Sequence, residues 1–182
     1  GGGAPLDVAK LVRLVSTHPL PLAEYDDAIG GSEKITLPMP PMIAIPTTAG
    51  TGSEVGRSAV VTLEATGRKT VIFAPRLIPD VAFLDPALTV SLPRSITAAT
   101  GFDALVHNIE AYCSKGDHPM ADALALGGID LIAANLRRAV EDGSDLEARG
   151  AMLKGSMIGA VAFQKGLGAC HSLAHPLGAE LG

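Results

Sequence analysis

The residue pattern changes near Leu92, and this change does most to limit the folds available to the chain. Before Leu92, one amphipathic helical pattern, Asp7–Thr17, is followed by short apolar runs separated by glycine and proline, which is typical of α/β structure. After Leu92, helical periodicity continues and no convincing strand pattern recurs. The pattern therefore predicts an α/β part over residues 1–91, followed by an all-helical part over residues 92–182.

The individual strands and helices are predicted from apolar runs that end at glycine, proline or charged residues. Met42–Pro46 is expected to be a buried strand, because it is apolar throughout and bounded by prolines. Further strands are expected at Ala59–Leu63, Thr70–Phe73 and Val81–Leu84, and further helices at Ile96–Cys113, Pro119–Glu141 and from Asp145 to beyond His175.

Composition excludes several classes of protein. Of the 182 residues 47% are hydrophobic, and the net charge is −5, so we expect neither disorder nor binding to nucleic acid or an anionic membrane. The longest stretch without charged side chains or histidine, Ile35–Ser53, contains four prolines, so no transmembrane helix is expected. Two cysteines fit a reducing, cytoplasmic location. The chain starts with three glycines and stops within a helical pattern, so we expect it to be an internal part of a longer protein.

Two glycine-rich segments are candidates for binding phosphate or ribose groups. Gly1–Asp7 opens a helix, where free N–H groups and the helix dipole attract anions, although this segment taken alone is better explained as a simple helix cap. Pro46–Glu54 follows an apolar strand and offers four hydroxyl groups, at the place where open α/β sheets bind ligands. A small-residue solvent loop is the alternative, but the density of threonine and glycine favours a binding loop.

Two pairs of side chains are spaced to share one face of a helix. Asp103 and His107 are four residues apart, and so are His171 and His175, which lie among small apolar residues and are expected on a largely buried helix. Imidazole and carboxylate together suit Fe²⁺ or Zn²⁺. A surface ion pair explains the first pair alone, and two hydrogen-bonded core histidines explain the second alone. Two such pairs in one helical region favour a metal site.

Taken in order, these motifs resemble the iron-containing (group III) alcohol dehydrogenases. The resemblance extends over nearly the whole chain, and the motifs keep the order and approximate spacing of the family. It rests on Gly1–Lys10, Pro46–Glu54, Val81–Pro86, Ala99–His107 and Gly168–Ala179.

The resemblance implies a two-domain architecture like that of dehydroquinate synthase, incomplete at both ends. Residues 1–91 would be the C-terminal portion of a dinucleotide-binding domain, and residues 92–182 the N-terminal portion of a helical metal domain. It also implies that the metal ligands are Asp103, His107 and His171, with a fourth ligand beyond Gly182, and that His175 lies beside the reaction centre, where we assign it to a proton relay. The coenzyme contacts that it implies are Gly2, Gly3, Asp7, Thr47, Thr48, Thr51, Val60 and Lys69.

The implied activity is reversible oxidation of a small alcohol to an aldehyde or ketone. NAD or NADP would exchange the hydride, and a divalent metal, Fe²⁺ by preference and Zn²⁺ as an alternative, would act as Lewis acid. A homodimer is consistent with the resemblance. Three alternatives stay open: a maleylacetate reductase, against which the metal ligands argue; a dehydroquinate-synthase-like lyase, which would need more basic residues than Lys165 near the site; and an inactive truncated paralogue.

Overall fold

The computed structural model describes residues 1–19, 21–64 and 67–180, which are mainly helical with a small amount of sheet. Within these ranges, every strand precedes residue 83, and four of the five α-helices follow residue 93. The strands are β1 (Ile43–Ala44), β2 (Ser58–Leu63), β3 (Arg68–Phe73) and β4 (Val81–Ala82), and the helices are α1 (Gly3–Val15), α2 (Arg94–Cys113), α3 (Pro119–Glu141), α4 (Leu146–Ala162) and α5 (Ala169–Glu180).

The strands form two separate pairs among the described residues. β1 and β4 are parallel, with Ile43 opposite Val81, as expected of an α/β arrangement. β2 and β3 are antiparallel, with Val60 opposite Val71. The expectation that Met42–Pro46 forms a buried strand is wrong in part, because the strand has only two residues and the side chain of Ile43 is 62% exposed.

The β2–β3 hairpin has one buried face and one face that borders a cleft. Ala59 and Ile72, which lie opposite each other, are fully buried against α1. Val60 and Val71, one residue further along each strand, line the cleft. This alternation is the normal period of two in a strand, and it places the hairpin between a hydrophobic core and the candidate site.

Helix α1 begins earlier than the sequence pattern predicts. It starts at Gly3, whereas apolar periodicity indicates a start at Asp7. The difference arises because the first-turn N–H groups have no partner within a helix, so glycine and Pro5 are tolerated there. Leu11 and Leu14 then pack into the core below the β2–β3 hairpin.

A buried lysine fastens α1 to the segment that leads into β2. Lys10 is fully buried, and its Nζ donates hydrogen bonds of 2.8 Å to the carbonyl oxygens of Gly56 and Ser58. Burial lowers the pKa of Lys10 from 10.5 to about 8, although Asp7 and Glu54 oppose the shift. At neutral pH the protein therefore keeps a mostly charged ammonium group in its interior, at a cost in stability.

The unfolding free energy is expected to rise with pH between about pH 8 and pH 10 because of Lys10. In this range the unfolded chain binds more protons at Lys10 than the folded chain does, so raising the pH favours folding. The total increase in the unfolding free energy is at most about 3 kcal/mol. Urea unfolding at several pH values measures the effect. The variant Lys10→Met should lack the rise, and Lys34→Met, which removes an exposed lysine, should keep it. An unchanged rise in Lys10→Met would contradict the assignment.

Helices α2, α3 and α4 pack together around small residues. Asn108 on α2 is fully buried, and its Nδ2 donates to the carbonyl oxygens of Ala104 (2.8 Å) and Gly155 (3.1 Å). A Cβ at Gly128 or Gly159 would lie within 2.4 Å of the Asn108 amide, so glycine at these positions permits the close approach of α3 and α4. These contacts fix the ends of α2 and α4 that border the cleft.

The prediction of a single helix from Asp145 to beyond His175 is wrong, because the structure has two helices there, α4 and α5. The break lies around Gly166, whose φ of 148° belongs to a region that favours glycine. The expectation that α5 is largely buried is also wrong, since Leu173 and Leu177 are 64% and 55% exposed. The break turns α5 so that His171 faces α2.

Helix α3 is long enough and apolar enough, by length and composition alone, to cross a membrane. One such helix is weak evidence, because core helices of soluble proteins meet the same criterion. In the structure α3 packs along α2 and α4, with Ala125 and Ile132 fully buried between them. The expectation that the protein has no membrane partner stays a prediction.

Candidate metal centre and adjoining cleft

Three predicted ligands meet at one place on the described part of the chain. Asp103, His107 and His171 each offer a donor atom, and these atoms lie within 4.8 Å of one another. Nε2 of His171 is 3.4 Å from the Asp103 carboxylate, and the imidazole rings of His107 and His171 stack with their centres 4.3 Å apart. The arrangement brings α2 and the separate helix α5 together at one candidate metal centre.

Each of the two histidines forms a hydrogen bond through Nδ1 of its ring. Nδ1 of His107 lies 3.3 Å from the carbonyl oxygen of Gly50, and Nδ1 of His171 lies 2.5 Å from the Glu110 carboxylate. Both partners only accept hydrogen bonds, so each Nδ1 carries the proton. Nε2 is then the nitrogen of each ring that has the lone pair a metal ion requires.

The carboxylate of Glu110 accepts a hydrogen bond from Nδ1 of His171 and so orients the ring. Glu110 was not among the residues identified from the sequence. Its other carboxylate oxygen accepts a hydrogen bond of 2.6 Å from the backbone N–H of Cys170. Burial raises the pKa of Glu110, but hydrogen bonds from His171, Gly168 and Cys170 outweigh burial and hold the pKa below its usual value. An ionised carboxylate behind a ligating histidine is the usual second partner at protein metal sites.

His107 is neutral in this environment. Burial lowers its pKa, and the nearby Asp103 carboxylate opposes the shift only in part. The ring of Phe163 packs 4.9 Å from the ring of His107 and covers it on another side. A neutral, shielded imidazole with its proton on Nδ1 has the protonation state that metal binding requires.

A cleft of about 610 Å³ adjoins the centre. Its lining includes the three candidate ligands, the start of α1 and the outer face of the β2–β3 hairpin. Five of the predicted coenzyme residues line it: Gly3, Asp7, Thr51, Val60 and Lys69. The volume and the mixed polar and apolar lining suit a bound organic molecule.

The other three predicted coenzyme residues lie in the wall beside the cleft. The backbone N–H of Thr47 donates to the carbonyl oxygen of Gly1 at 2.9 Å, and a Cβ on Gly2 would lie 3.1 Å from the Thr48 hydroxyl. The glycine segment, Gly1–Gly3, and the loop Pro46–Glu54, here called the threonine loop, therefore pack directly against each other. Their close packing, which side chains on the glycines would prevent, explains why the segment consists of glycine.

Asp7 differs from its predicted role in that both carboxylate oxygens already have protein partners. One accepts a bond of 2.6 Å from the Ser53 hydroxyl, and the other accepts a bond of 3.1 Å from the backbone N–H of Val60. Asp7 thus ties α1 to the threonine loop and to β2 while it lines the cleft. Its contact with a coenzyme stays a prediction, as do those of the other seven residues.

The loop Pro46–Glu54 joins the strand-containing part to the helices. The carbonyl oxygen of Gly50 accepts hydrogen bonds both from His107 and, at 3.0 Å, from the Ser156 hydroxyl on α4. Gly52 has a φ of +63° and lies against Ala160, one turn further along α4. These contacts place the loop between α2 and α4, next to the candidate metal centre.

His175 lies within α5, but its side chain is outside the part of the chain that the structure describes. Its role in a proton relay stays a prediction. Arg57 and Gln164, which also line the cleft, are further residues that sequence reasoning missed.

The fold and the site together define a class of protein in which a glycine-rich helix start borders the same cleft as a cluster of one aspartate and two histidines on helices. Comparison with known protein families places the chain within that class. Residues 1–86 match the family described as iron-containing alcohol dehydrogenase, and residues 97–182 match the family described as Fe-containing alcohol dehydrogenase family, C-terminal. The chain belongs to the iron-containing alcohol dehydrogenase family.

Its relatives include proteins of different named activities. It is 47% identical to a 4-hydroxybutyrate dehydrogenase of Cupriavidus necator over 98% of this chain and 46% of that protein. It resembles the crystal structure of a 1,3-propanediol oxidoreductase with a TM-score of 0.93 and 46% identity, over 98% of this chain and 46% of that one. It also resembles a sulfoacetaldehyde reductase from Bifidobacterium kashiwanohense in complex with NAD⁺, with a TM-score of 0.87 and 37% identity, over 97% and 46% of the two chains. The chain thus spans about half the length of these relatives.

Proposed function

We propose that the protein to which this chain belongs is a metal-dependent, NAD(P)-linked alcohol dehydrogenase that also reduces aldehydes. The observation that carries the proposal is the meeting of Asp103, His107 and His171 at a cleft that also contains Gly3 and Thr51. Metal ligands and a candidate phosphate-binding helix start therefore border the same space. Metal-assisted hydride transfer from an alcohol to a dinucleotide uses both features in one place.

The donor set fits a divalent metal ion. Two imidazoles and one carboxylate suit Fe²⁺ or Zn²⁺, and membership of the iron-containing family favours Fe²⁺. When bound, the metal supplies Lewis acidity and the nicotinamide coenzyme exchanges the hydride. Glu110 orients His171, the carbonyl group of Gly50 orients His107, and Phe163 keeps water from one side of the His107 ring.

The coenzyme is NAD or NADP, bound along the wall formed by the start of α1 and the threonine loop. The free N–H groups at the start of α1 suit a pyrophosphate group, and the glycines allow it to approach. The similar sulfoacetaldehyde reductase forms a complex with NAD⁺, which supports a nicotinamide dinucleotide as the coenzyme. The contacts proposed for it are Gly2, Gly3, Asp7, Thr47, Thr48, Thr51, Val60 and Lys69.

We further propose that residues 1–91 and 92–182 belong to two domains, a dinucleotide-binding domain and a helical metal domain. The distribution of strands and helices on either side of residue 92 supports this division. The loop Pro46–Glu54, which contacts α2 and α4, would then lie at the domain interface. A cytoplasmic homodimer is the proposed state of the protein.

The two alternative activities fit the site less well. A maleylacetate reductase needs no metal, and the convergence of three ligands argues against it. A dehydroquinate-synthase-like lyase needs basic groups for a phosphorylated substrate, but Lys165 is buried in an ion pair with Asp122 and does not line the cleft. Arg57 and Lys69 are the basic side chains that line it among the described residues.

The proposal is tested with the purified full-length protein, first stripped of metal and then loaded with Fe²⁺ or Zn²⁺. Oxidation of 1,3-propanediol and of 1-butanol is followed as reduction of NAD⁺ or NADP⁺. We expect activity only with metal present, and with one coenzyme strongly preferred. Equal activity of the stripped and the loaded protein would reject the metal-dependent mechanism.

His175 is proposed to relay a proton between the substrate hydroxyl group and solvent. It follows the candidate ligand His171 by one helical turn, which supports its placement near the reaction centre. The variant His175→Ala should lower kcat and shift its pH profile while the metal content stays the same. A wild-type kcat with an unchanged pH profile would exclude the relay.

A further inference from the structure

The cleft contains an arginine for which the proposed chemistry has no use so far. Arg57 immediately precedes β2 and lines the same cleft as Asp103, His107 and His171. Neither hydride exchange nor metal binding requires a guanidinium group. A charged side chain in such a position calls for a partner of opposite charge.

The side chain of Arg57 is held in one orientation. Its Nε donates a hydrogen bond of 2.6 Å to Oε1 of Gln164, and the Nε2 of Gln164 donates one of 3.0 Å to the carbonyl oxygen of Ala160. Its guanidinium carbon lies 4.5 Å from the centre of the Phe73 ring. The amide and the aromatic ring together preorganise the guanidinium group.

The two terminal nitrogens of Arg57 have no hydrogen-bond or ion-pair partner within residues 1–19, 21–64 and 67–180. The nearby carboxylates are committed elsewhere: Asp7 accepts from Ser53 and Val60, and Asp103 belongs to the metal cluster. The charge of Arg57 is therefore not neutralised by the part of the chain that the structure describes. Its planar N–H pairs match a carboxylate or another oxyanion.

The position of Arg57 favours the substrate over the coenzyme as the source of this anion. Gln164, which holds Arg57, directly follows Phe163, whose ring contacts the candidate ligand His107. Lys69, the other cation of the cleft, lies on β3 four residues before Phe73, which corresponds to about 13 Å along the strand. The phosphates are expected at the start of α1, so Arg57 belongs to the metal side of the cleft.

We propose that Arg57 binds the anionic end of the substrate, so that the preferred substrates are short alcohols and aldehydes with a terminal carboxylate or similar oxyanion. This proposal rests on the proposed dehydrogenase activity. The hydroxyl or carbonyl end of such a molecule lies at the metal centre, and its charged end forms a paired hydrogen bond with Arg57. Gln164 and Phe73 are positioning residues, since they act only through Arg57.

The test compares pairs of substrates that differ only in charge: 3-hydroxypropanoate, 4-hydroxybutanoate and 5-hydroxypentanoate, each with its neutral amide. The measured quantity is the ratio of kcat/KM for the acid to kcat/KM for the amide in the metal-loaded full-length protein. For at least one chain length the ratio should be about 10 to 100 in the wild-type protein, as expected of a charged hydrogen-bonded pair. The variant Arg57→Met should bring the ratio to about one or below, Arg57→Lys should restore part of it, and Gln164→Leu should lower it to an intermediate value.

Lys69→Met is the matched control, because it removes the other cation of the cleft and should leave the ratio unchanged. The proposal is overturned if the wild-type protein uses acids and amides equally well. It is also overturned if Arg57→Met lowers kcat/KM for both by the same factor, or raises only the KM for coenzyme, which would assign Arg57 to a coenzyme phosphate. If no alcohol is oxidised with either coenzyme, the proposed function fails instead.

Discussion

Replacing His171 with alanine is expected to remove the metal ion and lower coenzyme-linked alcohol oxidation by about 1,000-fold or more. The ring is one of the three proposed donor groups, and a Lewis acid contributes several kcal/mol to the transition state, where each 1.4 kcal/mol is a factor of ten. Metal content by elemental analysis and kcat/KM with 1,3-propanediol are the two measurements. Both should fall together, because the catalytic loss follows from the loss of metal.

Two variants separate this effect from a general loss of structure. Glu110→Gln keeps all three ligands but removes the charge behind His171, so metal affinity should fall by about 10- to 100-fold. His118→Ala removes an exposed histidine that caps α3 and should leave metal affinity unchanged. A His171→Ala protein with wild-type metal content would show that this ring is no ligand.

Replacing Gly52 with alanine is expected to lower the unfolding free energy by about 4 kcal/mol, combining the cost of a left-handed backbone with that of overpacking. Its φ is +63°, and an added Cβ would lie only 2.1 Å from the Cβ of Ala160 and 3.1 Å from the carbonyl oxygen of Ser156. Neither neighbour can move easily, because both belong to the buried face of α4. The measurement is urea unfolding of the metal-loaded protein, followed by circular dichroism.

Gly30→Ala is the matched control for Gly52→Ala. Gly30 has a similar φ of +73°, but an added Cβ there would meet nothing within 4 Å. Its cost should therefore be the backbone part alone, about 1–2 kcal/mol. If the two variants lost the same stability, the contact between the loop and α4 would not matter as we describe.

Much of the fold was predictable because regular patterns dominate the chain. Helix α3 has the predicted bounds, Pro119–Glu141, since Pro119 favours a helix start and the periodicity runs unbroken from there. The division into α4 and α5 was not predictable in the same way. Gly166 stands between two segments of helical pattern, and nothing in those segments indicates that its φ is 148°.

The sequence indicated the three candidate ligands that the structure brings together, but it did not indicate the residues that support them. Asp103 and His107 are recognisable from their spacing, and Glu110, three residues further, continues the same helix face. That spacing could have indicated Glu110, although glutamate on a helix is usually solvated. Arg57 and Gln164 are 107 residues apart, and their contact depends on how the hairpin meets the end of α4. The local sequence around either residue does not indicate this long-range contact.

The carbonyl group of Gly50 has a consequence for any attempt to transplant the metal site. It accepts from both His107 and Ser156, so the protonation pattern of a candidate ligand on α2 is selected by a peptide 57 residues earlier in the chain. A graft of α2 and α5 into another helical scaffold would carry three ligands without this selector. His107 would then be free to present either nitrogen, and the graft would need a substitute acceptor at the same place to bind metal equally well.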